Sequence, residues 1–141
     1  MTWEQTKREY RDDHPWCQIW PILTDPIREV VIGYSHARNI DGHEIAHICR
    51  GSGRRDVVEN ILHAHANVHR WCDSTGLAGK VILIAAKMHS GEDHRELWAE
   101  LMGVDSIEGW ASTDECVRQC MRKGVDHLRR EIAEGGATRS H

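Results

Sequence analysis

Two glycine-containing turn signals lie close together near the middle of the chain and limit what the residues between them can form. Asp41-Gly42 precedes the segment, and Gly51-Ser52-Gly53 follows it. Residues 43–50 are too few for a long helix, because a short helix makes few hydrogen bonds in return for the backbone order that nucleation requires. The sequence therefore predicts a strand over His43 to Ile48.

The residues that follow extend this pattern. After a glycine- and arginine-containing loop at 50–56, Asn60 to His65 is predicted to be a second short strand, and Asn67 to Asp73 the start of a helix. The predicted order is strand, loop, strand, helix. Upstream, the β-branched segment Arg28 to Tyr34 is predicted to be a strand that pairs with 43–48 in a small antiparallel hairpin.

Helices are predicted on both sides of this central segment. Thr2 is a suitable N-cap for a helix to about Asp13, which Pro15 should end. The later helices are predicted over Val81 to Met88, over Asp93 to Met102 with Gly103 closing it, and from a capping box of Ser112 and Glu115 to about Glu134. Apolar residues on one face of the last helix are predicted to pack in the core. They are Val117, Cys120, Met121, Leu128 and Ile132.

Length and composition exclude several classes of protein. A chain of 141 residues is the size of one ordinary domain. No apolar run approaches the roughly 20 residues of a membrane-spanning helix, and Met1 to Tyr10 lacks the apolar stretch of a secretory signal, so we expect no membrane partner and a cytoplasmic location. The net charge of −4 argues against nonspecific coating of nucleic acid. Five scattered cysteines without a C-x-x-C pair indicate reduced thiols.

Two motifs share residues between His43 and Asp73. The first is His43-Glu44-Ile45-Ala46-His47, an H-E-x-x-H sequence. In zinc peptidases this motif places two imidazoles on the metal, one helical turn apart, with the glutamate as base. That geometry needs a helix, which the flanking turns disfavour, and with 11 histidines a chance match is not negligible. A zinc metalloprotease using His43, Glu44 and His47 is therefore a remote alternative.

The second motif extends over four spaced elements. They are Glu44-Ile45-Ala46-His47-Ile48, the loop Gly51-Ser52-Gly53-Arg54-Arg55-Asp56, Glu59-Asn60-Ile61-Leu62, and His69-Arg70-Trp71-Cys72-Asp73. This run resembles the HNH endonucleases, the ββα-metal nucleases common in phages and bacteria. The family pattern is an E-x-x-H-I strand, a glycine- and arginine-bearing loop, an E-N-L strand, and H-x-x-x-[HD] on a helix. The resemblance covers roughly 30 residues.

The resemblance implies an α+β fold with a small ββα-metal core at about 28–75. An N-terminal helix precedes that core, and a helical extension at 78–134 follows it. The expected organisation is one nuclease domain over 1–135 and a disordered tail at 136–141.

Phosphodiester hydrolysis needs a deprotonated water and a cation that neutralises charge on the phosphate and the leaving oxygen. A neutral imidazole takes a proton near neutral pH, so His47 can be the general base. His69 and Asp73, spaced i, i+4 on a helix, can hold one divalent ion. Asn60 can brace the loop that carries His47, as the family's central asparagine is expected to do. Each of these residues taken singly also fits an ordinary structural role.

Four arginines near these residues predict a positively charged patch that faces the phosphate, although the net charge of the whole chain is negative. They are Arg50, Arg54, Arg55 and Arg70. A solvated loop is the alternative interpretation of this cluster.

The chain departs from the family pattern at two places. Ala46 occupies a position where many members have a further histidine or aspartate ligand. Many members also carry two C-x-x-C knuckles that bind a structural zinc, and the corresponding segments here begin at Cys17 and His65. We therefore expect no structural zinc, with Trp16, Trp20 and the C-terminal helices providing apolar burial instead.

The function expected from the sequence is a metal-dependent DNA endonuclease. Mg²⁺ is the default ion, and Mn²⁺, Ni²⁺ and Zn²⁺ stay open because one imidazole and one carboxylate select weakly. The alternative is a catalytically inactive nucleic-acid or protein-binding module on the same fold. Double-stranded DNA is the expected partner, and a homodimer or a phage replication or packaging partner stays open for the C-terminal helices.

Overall fold

The computed structural model of the chain describes residues 2–25, 27–29, 43–50, 55–109 and 114–139. Its helices are α1 (Trp3–Asp13), α2 (Ala66–Ser74), α3 (Leu77–His89), α4 (Arg95–Met102) and α5 (Asp114–Arg139), and its strands are β1 (His43–His47) and β2 (Ile61–His65). Single 3-10 turns lie at Trp20–Ile22 and Val58–Asn60. Helices around a small two-stranded antiparallel sheet agree with the α+β class.

Helix α1 begins and ends where the sequence predicts. The hydroxyl of Thr2 accepts a hydrogen bond from the Gln5 backbone N–H at 3.1 Å, and the Gln5 side chain accepts one from the Thr2 N–H at 2.8 Å. This reciprocal pair is a capping box, which satisfies two N–H groups that have no partner inside the helix. The helix ends at Asp13, directly before His14-Pro15.

Strands β1 and β2 pair with His43 opposite His65 and His47 opposite Ile61. Helix α2 follows β2 without a break. The predicted order of two strands followed by a helix over 43–73 is confirmed, and residues 51–54 of the predicted loop lie outside the described part of the chain.

The two faces of this sheet have different neighbours. Successive side chains of a strand point to opposite faces, so Glu44 and Ala46 share one face and His43 and His47 share the other. The face of Ala46 packs against α2, and the buried cluster there includes Ala46, Leu62, Ala64, Val68, Trp71 and Cys72. On the opposite face, the ring of His47 lies 6.2 Å from that of Trp3 in α1.

The strand predicted over Arg28 to Tyr34 is wrong where the structure describes it. Residues 27–29 are helical, and the Arg28 N–H donates to the Thr24 carbonyl at 2.9 Å. Thr24 and Asp25 are helix-initiating residue types, which accounts for the helical residues 27–29. Residues 30–34 lie outside the described part of the chain. The strand that pairs with β1 is β2.

The two middle helices agree with the sequence. Helix α3 includes the predicted segment 81–88 and is buried on nearly all sides, which explains why its apolar residues show no clear period. Helix α4 ends at Gly103, whose φ of 71° is the left-handed conformation that glycine adopts at least cost.

Helix α5 packs against α3 and extends beyond its predicted end at about Glu134, so that 136–139, assigned to a tail from the sequence, are helical. Met121 and Val125 are buried, and Val117 and Cys120 are partly buried against the core. The side chains of Leu128 and Ile132, and the predicted cap residue Ser112, lie outside the described residues.

The tryptophans that fill the core differ from those expected. Trp16 is 57% exposed, so its predicted packing role is wrong, whereas Trp20 is partly buried against the core. Trp71 and Trp98 are almost fully buried instead. Each also has a partner for its indole N–H, with Trp71 donating to the Gly124 carbonyl at 3.2 Å and Trp98 to the Glu59 carbonyl at 2.9 Å.

Candidate metal and catalytic site

The imidazole of His69 lies between two carboxylates. Its Nδ1 is 2.6 Å from Oε1 of Glu44, and its Nε2 is 3.4 Å from Oδ2 of Asp73. The side chain of His69 is 13% exposed and that of Asp73 is 30% exposed. The side chain of Glu44 is 45% exposed, so a largely buried imidazole lies between two carboxylates that both reach solvent.

The local fold explains this arrangement. Because β2 continues directly into α2, His69 lies about one turn into the helix, and Asp73 lies on the same helix face one turn later. Glu44 reaches α2 because it shares its strand face with Ala46, whose burial directs that face toward the helix. The sequence predicts the pair on α2, but Glu44 as the partner of His69 could not be read from their separation of 25 residues.

The geometry of His69 and Asp73 fits two ligands of one divalent ion. Two ligand atoms about 2.1 Å from the same ion are roughly 3.0 Å apart in an octahedral arrangement and about 3.4 Å apart in a tetrahedral one. The observed separation of Nε2 and Oδ2 is 3.4 Å, and among the described residues the buried Nε2 has no hydrogen-bond partner. No group of three or more His, Cys, Asp or Glu residues in the described chain is placed to hold a metal.

Glu44 prepares the same imidazole for such a role. A carboxylate that accepts a hydrogen bond from Nδ1–H fixes the ring tautomer and leaves the lone pair at Nε2. Nε2 is the nitrogen that faces Asp73. The contact with Glu44 therefore orients His69 for coordination through Nε2.

Arg50 forms an ion pair with Asp73 through its guanidinium NH1 and Oδ2 of the carboxylate. The side chain of Arg50 is 56% exposed, so this pair is held weakly and can exchange with other charged groups. The guanidinium of Arg50 therefore lies at the candidate ion site, beside Asp73. A cavity of about 320 Å³ adjoins this pair, and its lining includes Arg50, Asp73 and Lys80.

The other predicted arginines have separate surroundings. Arg55 forms an ion pair with Glu100 of α4, at 3.3 Å between NH2 and Oε1. Arg70 is exposed on α2, and Arg54 lies outside the described residues. Arg50 and Arg55 are therefore each paired with a carboxylate, and the predicted patch is less positive than its arginine count suggests.

His47 pairs with a carboxylate of its own. Its Nε2 is 2.9 Å from Oδ1 of Asp56, and the side chains are 15% and 42% exposed. When Asp56 accepts a hydrogen bond from Nε2–H, the lone pair of the neutral ring is at Nδ1. The sequence places Asp56 in the loop but assigns it no role.

The structure thus brings the predicted site residues together in two groups. Glu44, His69 and Asp73 form one group, and His47 with Asp56 forms the other. The alternation of β1 puts His47 on the strand face opposite that of Glu44. His47 is also the last residue of β1, at the end of the sheet.

Asn60 ties down the segment that follows His47. Its side chain accepts a hydrogen bond from the Cys49 N–H at 2.9 Å and donates to the Cys49 carbonyl at 3.0 Å and the Arg55 carbonyl at 3.2 Å. Asn60 is fully buried, and its own carbonyl accepts from the Ile48 N–H at 2.8 Å. These contacts fix the backbone at Cys49 and Arg55, on either side of residues 51–54.

The H-E-x-x-H sequence lies in β1 and not in a helix. In a strand its two histidines share one face while Glu44 points to the other, where it contacts His69. The arrangement that zinc peptidases require, with both imidazoles and the glutamate of one helix around a metal, is absent here.

The buried cysteines of the described chain pack in the core. Burial raises the pKa of the Cys49 and Cys72 thiols, and Cys17 lies in the same core cluster. The raised pKa keeps both thiols protonated near neutral pH.

Similarity to known proteins does not identify the family of this chain. No family model matches the chain, and neither a curated protein nor a solved structure matches it. Within the described residues, every helix is too short or too polar to cross a membrane.

Proposed function

We propose that this protein is a metal-dependent endonuclease that hydrolyses DNA phosphodiester bonds. The observation that carries the proposal is the unpartnered Nε2 of His69, 3.4 Å from Asp73 on the helix that follows a two-stranded hairpin. The order of these elements is that of the HNH endonucleases, which the sequence resembles. His69 and Asp73 would hold the ion, with water and phosphate completing its coordination.

The side chains divide the chemistry between them. His69 and Asp73 would hold a divalent ion, whose positive charge would stabilise the scissile phosphate and the leaving oxygen. His47 accepts the proton of the attacking water at Nδ1, while Asp56 keeps the proton at Nε2 and stabilises the imidazolium that forms. Asn60 positions the segment after His47 through its hydrogen bonds to Cys49.

The substrate would meet the cavity beside Asp73. Arg50 and Lys80 line it and carry the positive charge that suits a phosphate, and the exposed Arg50 would be free to bind the phosphate if Asp73 held an ion instead. Mg²⁺ is the proposed ion, with Mn²⁺, Ni²⁺ and Zn²⁺ as alternatives, and the proposed location is the cytoplasm. The proposed partner of α5 is a second copy of the chain or a phage replication or packaging protein.

Cleavage of supercoiled plasmid DNA tests this function. The parent chain should nick the plasmid in Mg²⁺, Mn²⁺ or Ni²⁺, and His47→Ala should cut about 10²- to 10⁴-fold more slowly, because a general base contributes that much. His69→Ala should also be impaired at limiting metal. His89→Ala, at an exposed histidine of α3, is the matched control and should cut like the parent. Equal cutting by His47→Ala and the parent would contradict the proposal.

The Arg50–Asp73 pair favours a second candidate, an inactive nucleic-acid or protein-binding module. A guanidinium already neutralises Asp73, and Ala46 supplies no further ligand. Under this alternative, the protein cleaves no DNA with any metal. A nucleic-acid-binding module would still form a DNA complex in a gel-shift assay, whereas a protein-binding module would form none. Retained DNA binding without cleavage would therefore support the second candidate over the first.

A further inference from the structure

A second set of histidines lies on the face of the sheet opposite Glu44. The ring centroids of His43 and His63 are 4.9 Å apart, and His65 lies beside them with its centroid 5.5 Å from that of His43. This proximity follows from the register, because His43 pairs with His65 and is diagonal to His63 on the same face. Neither the proposed nuclease chemistry nor the predicted core uses these rings.

Two ring nitrogens in this set lack a hydrogen-bond partner among the described residues. They are Nδ1 of His43 and Nε2 of His63, and both atoms are buried. His63 as a whole is only 2% exposed. A buried polar atom without a partner is costly, so two of them on neighbouring rings call for a ligand that binds lone pairs.

The tautomer of His63 fits such a ligand. Its Nδ1 contacts the backbone carbonyl of His14, and a carbonyl can only accept, so Nδ1 carries the proton and Nε2 carries the lone pair. A hydrogen bond from one ring nitrogen to a backbone carbonyl is the usual support of a metal-bound histidine. Burial lowers the pKa of His63, which keeps the ring in the neutral form that binds metals.

The spacing of the rings also fits. An imidazole centroid is about 3.2 Å from a metal bound to one of its nitrogens, so two ligands at 90° to 109° have centroids roughly 4.5 to 5.2 Å apart. The observed 4.9 Å between His43 and His63 falls in this interval. Arg11 adds positive charge near His63, but it is exposed, so solvent screens its repulsion of a cation.

We propose that His43 and His63 bind a divalent transition-metal ion of the zinc, nickel or copper class through Nδ1 and Nε2, with water completing the coordination. Imidazole nitrogens favour these ions over Mg²⁺, which prefers oxygen ligands. The site shares no residue with that of His69 and Asp73, which lie on α2, whereas His43 and His63 are on the two strands. It does not depend on the proposed nuclease activity.

Zinc binding to the metal-free full chain in excess Mg²⁺ tests this site. Calorimetric titration with ZnCl₂ should give one equivalent that His43→Asn weakens at least about tenfold. His63→Gln should do the same, and the half-exposed His43 keeps the test valid if the buried His63 variant fails to fold. His89→Asn, at an exposed histidine, is the matched control and should bind zinc like the parent.

The proposal also predicts which variants leave zinc binding intact. His69→Ala and Asp73→Asn should lower plasmid cleavage without removing the Mg²⁺-resistant zinc equivalent. Unchanged zinc affinity and stoichiometry in folded His43→Asn would overturn the proposal, and so would loss of all zinc binding in His69→Ala. Failure of the parent protein to cleave plasmid in any of the metals, with zinc binding still dependent on His43, would contradict only the nuclease function.

Discussion

The carboxylate of Glu44 and the imidazole of His69 meet at 2.6 Å, joining β1 to α2. The contact directs Nε2 of His69 toward Asp73 and fixes the proton at Nδ1. Glu44 thus acts as a positioning residue for a ligand on another element. Glu44 lies on the same face of β1 as Ala46, whose side chain cannot bind a metal.

We expect Glu44→Gln to weaken metal binding about 10- to 100-fold, the usual effect of losing the partner that orients a metal-bound histidine. The amide keeps the size of the side chain, but it can donate to Nδ1 and reverse the tautomer of His69. The metal concentration that gives half-maximal nicking in Mn²⁺ measures the change. Glu96→Gln, at an exposed glutamate of α4, should leave that concentration unaltered. An unaltered value in Glu44→Gln would show that the contact with His69 has no part in metal binding.

We expect Asp56→Asn to lower the cleavage rate at saturating substrate by up to about 10⁴-fold, the full contribution of a general base, with little change in KM. The amide removes the acceptor that holds the proton at Nε2 of His47. The combined Asp56→Asn and His47→Ala variant should be no slower than His47→Ala alone, because the two residues act as one unit. Multiplicative losses in single-turnover measurements would refute that coupling. Asp105→Asn is the exposed control.

Asn60→Ala should destabilise the protein by roughly 2 to 5 kcal/mol, because it removes three hydrogen bonds and leaves buried backbone groups of Cys49 without partners. Urea unfolding followed by tryptophan fluorescence measures the free energy. Gln119→Ala, at an exposed amide of α5, should change it by no more than about 0.5 kcal/mol. Equal stabilities of the two variants would mean that Asn60 does not brace the loop.

Gly124→Ala should destabilise the protein by about 1 to 3 kcal/mol, although alanine is the better helix former. A β-carbon at this position would lie 2.7 Å from Cζ2 of Trp71, and the Trp71 ring is closed in by the core. Thermal unfolding measures the change in stability. Gly109→Ala is the control, because a β-carbon there meets open space, and the difference between the two variants reports the contact between α2 and α5. A gain in stability at 124 would show that α5 does not pack on Trp71.

His63 should make the protein less stable in acid. Burial lowers the folded-state pKa, so between that value and the unfolded value of about 6.5 the unfolded chain binds the extra proton. The free energy of unfolding therefore falls as the pH drops below about 6.5, until the folded-state pKa is reached. His63→Gln removes this term, so the difference in stability between parent and variant should shrink from about pH 7.5 to 5 in EDTA. A difference that stays constant with pH would contradict this.

Local sequence signals were sufficient wherever short-range contacts decide the outcome. The capping box of Thr2 and Gln5 and the left-handed Gly103 involve only neighbouring residues, and both helix ends lie where predicted. The turn signals that flank 43–50 in the sequence disfavoured a helix at the H-E-x-x-H sequence, and this segment is a strand. At 28–29, where a strand was predicted, the chain is helical because the helix-initiating Thr24 and Asp25 precede it.

The candidate site shows the boundary of such reasoning. The resemblance to the HNH pattern, together with the i, i+4 spacing of His69 and Asp73, singled out His47, Asn60, His69 and Asp73. The partners of these residues depend on which face of β1 packs on α2 and on where the loop returns. Only the tertiary structure joins Glu44 to His69, Asp56 to His47, and Arg50 to Asp73, because each contact is made between segments whose approach is decided by burial of the core and not by sequence separation.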